Sequence, residues 1–193
     1  MRIRIGCEFS GVVRDAFRAK GHDAWSCDLE PSDDPQFHIQ GDVLEKLERG
    51  WDMAIFHPPC TYISNMSNCR IKEPGRVEKR REGMEFFMRL INAPIPRIAV
   101  ENPRGLPERE YRRADQIIHP WQFGHPASKA TCLWRGGCQH VIRMYDIETG
   151  RGAVTSFVYD SFWGKKGLDR GLLAARHSCY ETVLEAIANK KSE

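Results

Sequence analysis

Short apolar runs alternate with runs of helical periodicity along the first hundred residues, and this alternation restricts the possible folds most. Strand-like segments are RIRIGCEF (2–9), HDAWSCDLE (22–30), WDMAIF (51–56) and RIAVENP (97–103). Helical spacing is found in SGVVRDAFRAKG (10–21) and GRVEKRREGMEFFMRLINA (75–93). The run FHIQGDVLEKLERG (37–50) predicts a short strand and then a helix with Asp42 as its N-cap. The pattern predicts an α/β fold with a mostly parallel sheet and helices on both faces.

The second half of the chain is less regular. KATCLWRGG (129–137) is strand-like, residues 135–176 are rich in glycine and aromatic residues without a clear period, and SCYETVLEAIANK (178–190) predicts a closing amphipathic helix. A length of 193 residues fits one domain better than two. We therefore expect a single domain over 1–193, with 135–176 as a short irregular insertion.

Polar residues follow five of the predicted strands at the point where each strand ends. They are Glu8, Asp28 with Glu30, Asp42, Cys60, and Glu101 with Asn102. Ligands of parallel sheets bind at the carboxyl ends of strands, so these residues predict a pocket. Cys60 follows two prolines, which cannot continue a strand ladder and therefore hold a thiol at a rigid corner.

Composition excludes several classes of protein. Apolar content is 41% and charged content 28%, and no apolar run is long enough to span a membrane. The N-terminus has no long apolar signal region, so we expect a cytoplasmic protein. The seven cysteines are scattered, which favours reduced thiols. Cys132, Cys138 and His140 have a spacing too loose for a zinc site, and we expect no metal.

Positive charge is concentrated after residue 60. The net charge is +3, and segment 70–81 holds six basic and two acidic side chains. Such a cluster is either a solvated helix face or a surface for a polyanion, and its place just after Cys60 favours the second interpretation.

Six segments together resemble the motifs of the cytosine-C5 DNA methyltransferases, in that family's order. They are EFSGVVRDAFRAKGH, CDLEP, GDVL, PPC, ENPRGL and QFGHPASKAT. The chain looks most like a compact branch of this family that is common in phages and prophages. The resemblance covers residues 3–134 and, more weakly, the last helix. PPC alone is weak, but PPC and ENP about forty residues apart in an alternating α/β chain are specific.

The resemblance implies a Rossmann-like S-adenosylmethionine-dependent methyltransferase fold and assigns roles to individual residues. Cys60 would be the nucleophile, Glu101 the acid that meets the base, and Lys129 a positive charge at an arginine position of the family. The cofactor would contact Phe9, Gly11, Asp28 (with Glu30 in reserve), Asp42 and Pro58. In this family the loop after the cysteine closes over the base, so Arg76, Arg80 and Arg81 would contact phosphates, with Tyr62 and Asn65 nearer the base.

The sequence departs from the family pattern at several positions. Val13 replaces a glycine of the opening loop, and Lys129 and Thr131 replace two arginines. Residues 135–176 stand where the family has a much larger target-recognition region. We therefore expect a DNA target that is short, relaxed in sequence or single-stranded, unless a protein partner or a second copy of the chain recognises the target.

Two alternatives therefore stay open. One keeps the chemistry on RNA or a free pyrimidine nucleotide, and the other is a retired methyltransferase fold that binds nucleic acid or protein. A phage or prophage origin would place the chain in a bacterial cytoplasm.

Overall fold

A seven-stranded sheet organises the computed structural model, which describes residues 1–47, 50–123 and 128–137 and the dipeptides 145–146 and 151–152. The strands are β1 (Arg2–Gly6), β2 (Asp23–Asp28), β3 (His38–Gln40), β4 (Met53–Phe56), β5 (Ile98–Pro103), β6 (Gln116–Ile118) and β7 (Thr131–Gly136). Their order in space is β3-β2-β1-β4-β5-β7-β6. β1 to β5 pair in parallel, while β7 is antiparallel to both β5 and β6.

The two long helices pack on opposite faces of this sheet. Helix α1 (Val12–Ala19) places Val13 and Phe17 in a buried cluster with Ile3 and Ile5 of β1. Helix α2 (Arg76–Ile91) contributes to a second buried cluster, which also contains Phe56, Val100 and Trp134. The predicted α/β class, the mostly parallel sheet and the helices on both faces are confirmed.

The strand order reverses between β1 and β4. From β1 the chain proceeds outward through β2 and β3, and then returns to β4 and β5 on the other side. The N–H of His57 donates to the carbonyl of Gly6 at 3.0 Å, so the ends of β4 and β1 stay in contact. Open α/β sheets bind ligands at such a reversal, which lies beside Glu8 and His57 here.

Three elements differ from the predicted ones. Among the described residues, the helix expected after Asp42 is only a 3₁₀ turn, Leu44–Lys46, although the Asp42 carboxylate does accept the N–H of Leu44 at 2.8 Å. The chain turns at Gly50, with φ 112°, and enters β4 soon afterwards, which leaves little room for a longer helix. β6 and a π-helical turn, Pro107–Tyr111, were not predicted.

The predicted strand in 129–137 is confirmed as β7. From the irregular segment 135–176, the structure describes only residues 135–137 and the paired dipeptides β8 (Tyr145–Asp146) and β9 (Arg151–Gly152). The predicted closing helix lies outside the described residues. Of the described helices, none has both the length and the apolar character needed to cross a membrane.

Candidate active site

The thiol of Cys60 and the carboxyl of Glu101 share one edge of the sheet. Cys60 lies four residues beyond the end of β4 and is partly exposed, and Glu101 lies within β5 and is 8% exposed. Burial raises the pKa of the Cys60 thiol, the negative charge of Glu101 raises it further, and the positive charge of Lys129 opposes both. The three residues predicted to be catalytic therefore act on one another electrostatically.

The loop that carries Cys60 is joined to the turn that follows Glu101. The N–H of Leu106 donates to the carbonyl of Ile63, and the N–H of Asn65 donates to the carbonyl of Arg104, both at 2.8 Å. A Cβ at Gly105 would lie 2.0 Å from the carbonyl oxygen of Ile63, so only glycine permits this approach. The chain segments bearing the thiol and the acid are thus held as one unit.

Further hydrogen bonds hold the backbone on both sides of Cys60. Its carbonyl accepts the N–H groups of Ile63 and Ser64, at 3.2 and 3.0 Å, which closes a tight turn. The buried Asn102 donates from Nδ2 to the carbonyl of Pro58 at 2.8 Å. Asn102 was noted in the sequence only as a polar residue at a strand end, and the structure gives it the role of bracing the proline pair.

A cluster of buried polar groups lies behind the thiol, and the sequence predicted only part of it. Nδ1 of His57 lies 3.5 Å from Oε2 of Glu101. Within the part of the chain that the structure describes, Oε1 of Glu101, Nε2 of His57 and Oε2 of Glu8 are buried without a hydrogen-bond partner. Buried polar atoms normally have partners, so three such atoms indicate a place where another molecule binds. The histidine directly before PPC was the available signal.

Glu8 caps the first helix from inside the protein. Its Oε1 accepts the N–H of Val13 at 2.7 Å and the hydroxyl of Ser10 at 3.3 Å. Burial raises the pKa of Glu8, against the lowering effects of the Val13 N–H and the nearby charges of His57 and Arg14. Burial thus favours the neutral form of this carboxyl group at the sheet reversal, and only that form can donate a hydrogen bond.

Gly11 is required by the protein itself. It begins α1 with φ 73°, and a Cβ there would lie 2.3 Å from a guanidinium nitrogen of Arg14. No contact with a ligand is therefore needed to explain this glycine. Val13 is fully buried against the core, so its side chain does not enter the space at the sheet reversal.

Arg14 was missed by the sequence analysis. It is buried, and its guanidinium donates hydrogen bonds to Ser26 and Asp34.

The two acids expected to hold the cofactor nucleoside lie close together at this edge. Oδ1 of Asp28 accepts the N–H of Glu30 at 3.0 Å, and Oδ1 of Asp42 accepts the N–H of Leu44. After burial, which is the largest cause, both acids help raise the pKa of Cys7, which places both of them near that thiol. Neither Oδ2 atom of these two acids has a hydrogen bond to a described residue. Both oxygens could therefore accept hydrogen bonds from the hydroxyl and amino groups of a nucleoside. Of the remaining predicted contacts, Phe9 is partly exposed and Pro58 buried.

The basic residues after Cys60 have different surroundings. Arg76 is 7% exposed, donates to the carbonyl of Thr61 at 3.2 Å and lies over the ring of Tyr62 at 4.6 Å. It therefore holds the loop in place, and the phosphate contact expected of it stays a prediction.

The other two arginines that were predicted to contact phosphates lie nearer the surface. Arg80 donates to Oδ1 of Asn68 at 2.8 Å, and the exposed Arg81 lies 3.7 Å from Glu85, one helical turn away. The second contact is typical of a solvated helix face. A phosphate contact by either arginine also stays a prediction.

No group of three metal-ligating side chains occurs among the described residues, while Cys138 and His140 lie outside them. No protein-family model matches the chain, and a search of curated proteins finds no significant match. The residues of the site themselves are therefore the basis for inferring its chemistry.

Proposed function

We propose that this chain is an S-adenosylmethionine-dependent methyltransferase that methylates carbon 5 of cytosine in DNA through a covalent adduct with Cys60. The observation that carries the proposal is the joined pair of loops, which presents the Cys60 thiol and the Glu101 carboxyl on one edge of the sheet. The resemblance of PPC and ENPRGL to the family's motifs supports the same assignment.

The chemistry requires both groups. Carbon 5 of cytosine is a poor nucleophile until the thiolate of Cys60 adds to carbon 6, and the ring electrons then need a proton at N3. Glu101 gives that proton from its base-facing oxygen and becomes a carboxylate. Bound S-adenosylmethionine supplies the methyl group. Afterwards a water molecule takes the proton of carbon 5, the sulfur of Cys60 leaves with its electron pair, and N3 returns its proton to Glu101.

The charge state of Glu101 also governs the nucleophile. The carboxylate form raises the pKa of Cys60 and so disfavours the thiolate. When Glu101 carries the proton destined for N3, this opposition disappears, and Lys129 still favours the thiolate. Protonation of Glu101 therefore supplies the acid and removes one of the two effects that disfavour the thiolate, while burial, the larger effect, remains.

The cofactor would lie at the reversal of strand order. Asp28 would accept from the ribose hydroxyls and Asp42 from the adenine amino group, through the oxygens that their turns leave available. Phe9, Gly11 and Pro58 would line the methionine end. With these assignments the fold would be that of a Rossmann-like methyltransferase. The sheet by itself supports only the broader α/β class.

The DNA substrate would present its cytosine turned out of the base stack, because Cys60 is only partly exposed and Glu101 is buried. Arg80 and Arg81 would contact phosphates, which adds affinity without sequence information. A relaxed or single-stranded target, or a protein partner or second copy that reads the sequence, fits the short segment 135–176.

Transfer of a radiolabelled methyl group tests this proposal, with duplex DNA, single-stranded DNA, RNA and deoxycytidine monophosphate as alternative acceptors. Glu101→Gln should lower the rate by about 10²- to 10⁴-fold and leave cofactor binding intact. Asp28→Ala should instead weaken cofactor binding, measured by calorimetry. Transfer only to RNA or only to the nucleotide would show that DNA is not the substrate. Equal loss of cofactor affinity in both variants would show that Glu101 does not contact the base.

A second candidate function is favoured by one observation, the raised pKa of Cys60, which keeps most of the sulfur as thiol. In this case the fold would be a retired methyltransferase that binds nucleic acid or protein. Binding of DNA without binding of S-adenosylmethionine, in the same calorimetric experiment, would establish it.

A further inference from the structure

A buried imidazole at the candidate active site has no role in the reaction as written above. His57 directly follows β4 and is 9% exposed. Its backbone N–H is bonded to the carbonyl of Gly6, so the residue cannot move outward without breaking the contact between β4 and β1. Burial of a histidine costs free energy unless its ring nitrogens have partners, so its ring contacts indicate its role.

The ring lies between two carboxyl groups. β1, β4 and β5 are neighbours in the sheet, and Glu8, His57 and Glu101 are carried at or just beyond their carboxyl ends. Nδ1 of the imidazole is 3.5 Å from Oε2 of Glu101, and its charge also acts on Glu8. Hydrogen bonds in active sites are often this long before substrate binds and shorten in the complex.

The carboxyl of Glu101 has one oxygen facing His57 and one without a partner. Oε2 faces the imidazole, while Oε1 is buried and makes no hydrogen bond to any described residue. The last torsion angle of a glutamate side chain takes a broad range of values, so the orientation of the carboxyl plane needs a contact to fix it. A donor on Oε2 supplies that contact and leaves Oε1 as the oxygen available to N3 of the base.

We propose that His57 is a positioning residue, whose Nδ1–H donates to Oε2 of Glu101 and thereby directs Oε1 toward the cytosine. The inference rests on the proposed function, since it assigns the orientation of the acid in that reaction. The competing explanation is a packing role, in which the ring only fills space between β1 and β5. The two explanations differ in whether a smaller side chain with a donor at the same place restores the rate.

Two substitutions separate these explanations. His57→Asn places an amide N–H near the position of Nδ1, whereas His57→Phe keeps a ring and removes the donor. We expect His57→Phe to lower kcat by about 100-fold, the size of effect that a misplaced catalytic group produces. His57→Asn should stay within about tenfold of the wild type, and the KM for S-adenosylmethionine should change little in both. Thermal unfolding of both variants checks that they fold.

Three results would overturn the proposal. Unchanged kcat in His57→Phe would show that the donor is not needed, and equal losses in both variants would show that only the ring matters. The third comes from NMR of the ¹⁵N-histidine-labelled protein, which needs no activity. We expect a hydrogen-bonded Nδ1 proton of His57 in the wild type that is lost or shifted upfield in Glu101→Ala. A signal identical in the two proteins would exclude the contact.

The NMR experiment also separates this proposal from the proposed function. If the wild type transfers no methyl group to any acceptor, the cytosine chemistry fails. The His57 signal then still decides whether the imidazole holds Glu101.

Discussion

Alanine at Gly105 should disturb the candidate active site without touching a reacting group. Its Cβ would lie 2.0 Å from the carbonyl oxygen of Ile63 and 2.8 Å from Cα of Ser64. Both are backbone atoms, so no side chain can turn aside to make room. The loop of Cys60 must move away from the turn that follows Glu101.

The cost of this movement can be estimated from the contacts that it breaks. The carbonyl of Ile63 is the acceptor for the N–H of Leu106, and the adjacent bond from Asn65 to Arg104 depends on the same approach. Two hydrogen bonds at about 1 kcal/mol each, with about 1–3 kcal/mol for overpacking, predict a loss of about 3–5 kcal/mol in the free energy of unfolding. A shift of the thiol by about 1 Å would also lower methyl transfer by about 100-fold.

Urea denaturation measures the first effect, and Gly83→Ala is the matched control. A Cβ at Gly83 would meet only the Cγ2 methyl of Ile63, at 2.8 Å, and that side chain can adjust. Alanine also favours the helix by about 1 kcal/mol, so this variant should unfold within about 1 kcal/mol of the wild type. If Gly105→Ala were as stable as Gly83→Ala, the loops would not be held as one unit.

Three further outcomes follow from charges at and near the site. Alkylation of Cys60 by iodoacetamide should speed up as pH rises above neutral, because burial and a neighbouring carboxylate raise its pKa; a rate that is flat above pH 7 would contradict this. Burial raises the pKa of Glu8, so the folded state keeps its proton to higher pH than the unfolded chain. The free energy of unfolding should therefore fall as pH rises above the ordinary value of 4.5, and Glu8→Gln should remove that part of the fall in urea titrations. Neutralising Arg80 and Arg81 together should flatten the plot of log DNA affinity against log salt by about one unit per lost contact, whereas Arg89→Ala, on the same helix, should not. An unchanged slope in the double variant would identify a solvated helix face.

The sequence predicted the parts of the fold that depend on local pattern. The four central strands are short and mostly buried, β5 ends at Pro103 and β4 ends two residues before Pro58, so several of their limits are visible in the chain itself. The placement of Cys60 and Glu101 at one edge then follows from the rule that parallel strands share their carboxyl ends. β6 was missed because it has only three residues and, unlike the equally short β3, is not followed by a glycine that marks its end.

The sequence did not predict contacts between distant residues. The pairing of His57 with Glu101 spans 44 positions, so the place of His57 before PPC draws attention to the histidine but does not identify its partner. The six basic residues of 70–81 look alike in sequence, yet packing against Tyr62 buries Arg76 and leaves Arg81 exposed. Likewise, Val13 stands where the family has a glycine of the cofactor loop, but its side chain is buried in the core. This follows because α1 begins at Val12, so Val13 already belongs to the helix.

Covalent trapping on DNA that contains 5-fluorocytosine tests the central claim most directly. Fluorine at carbon 5 cannot leave as a proton does, so in the presence of S-adenosylmethionine the thioether between enzyme and base should persist. We expect a denaturation-resistant complex whose peptide map places the base on Cys60, and no complex with Cys60→Ser, although this variant folds normally. A complex that survives the Cys60→Ser substitution, or none with the wild type on any DNA while the cofactor is bound, would contradict the account.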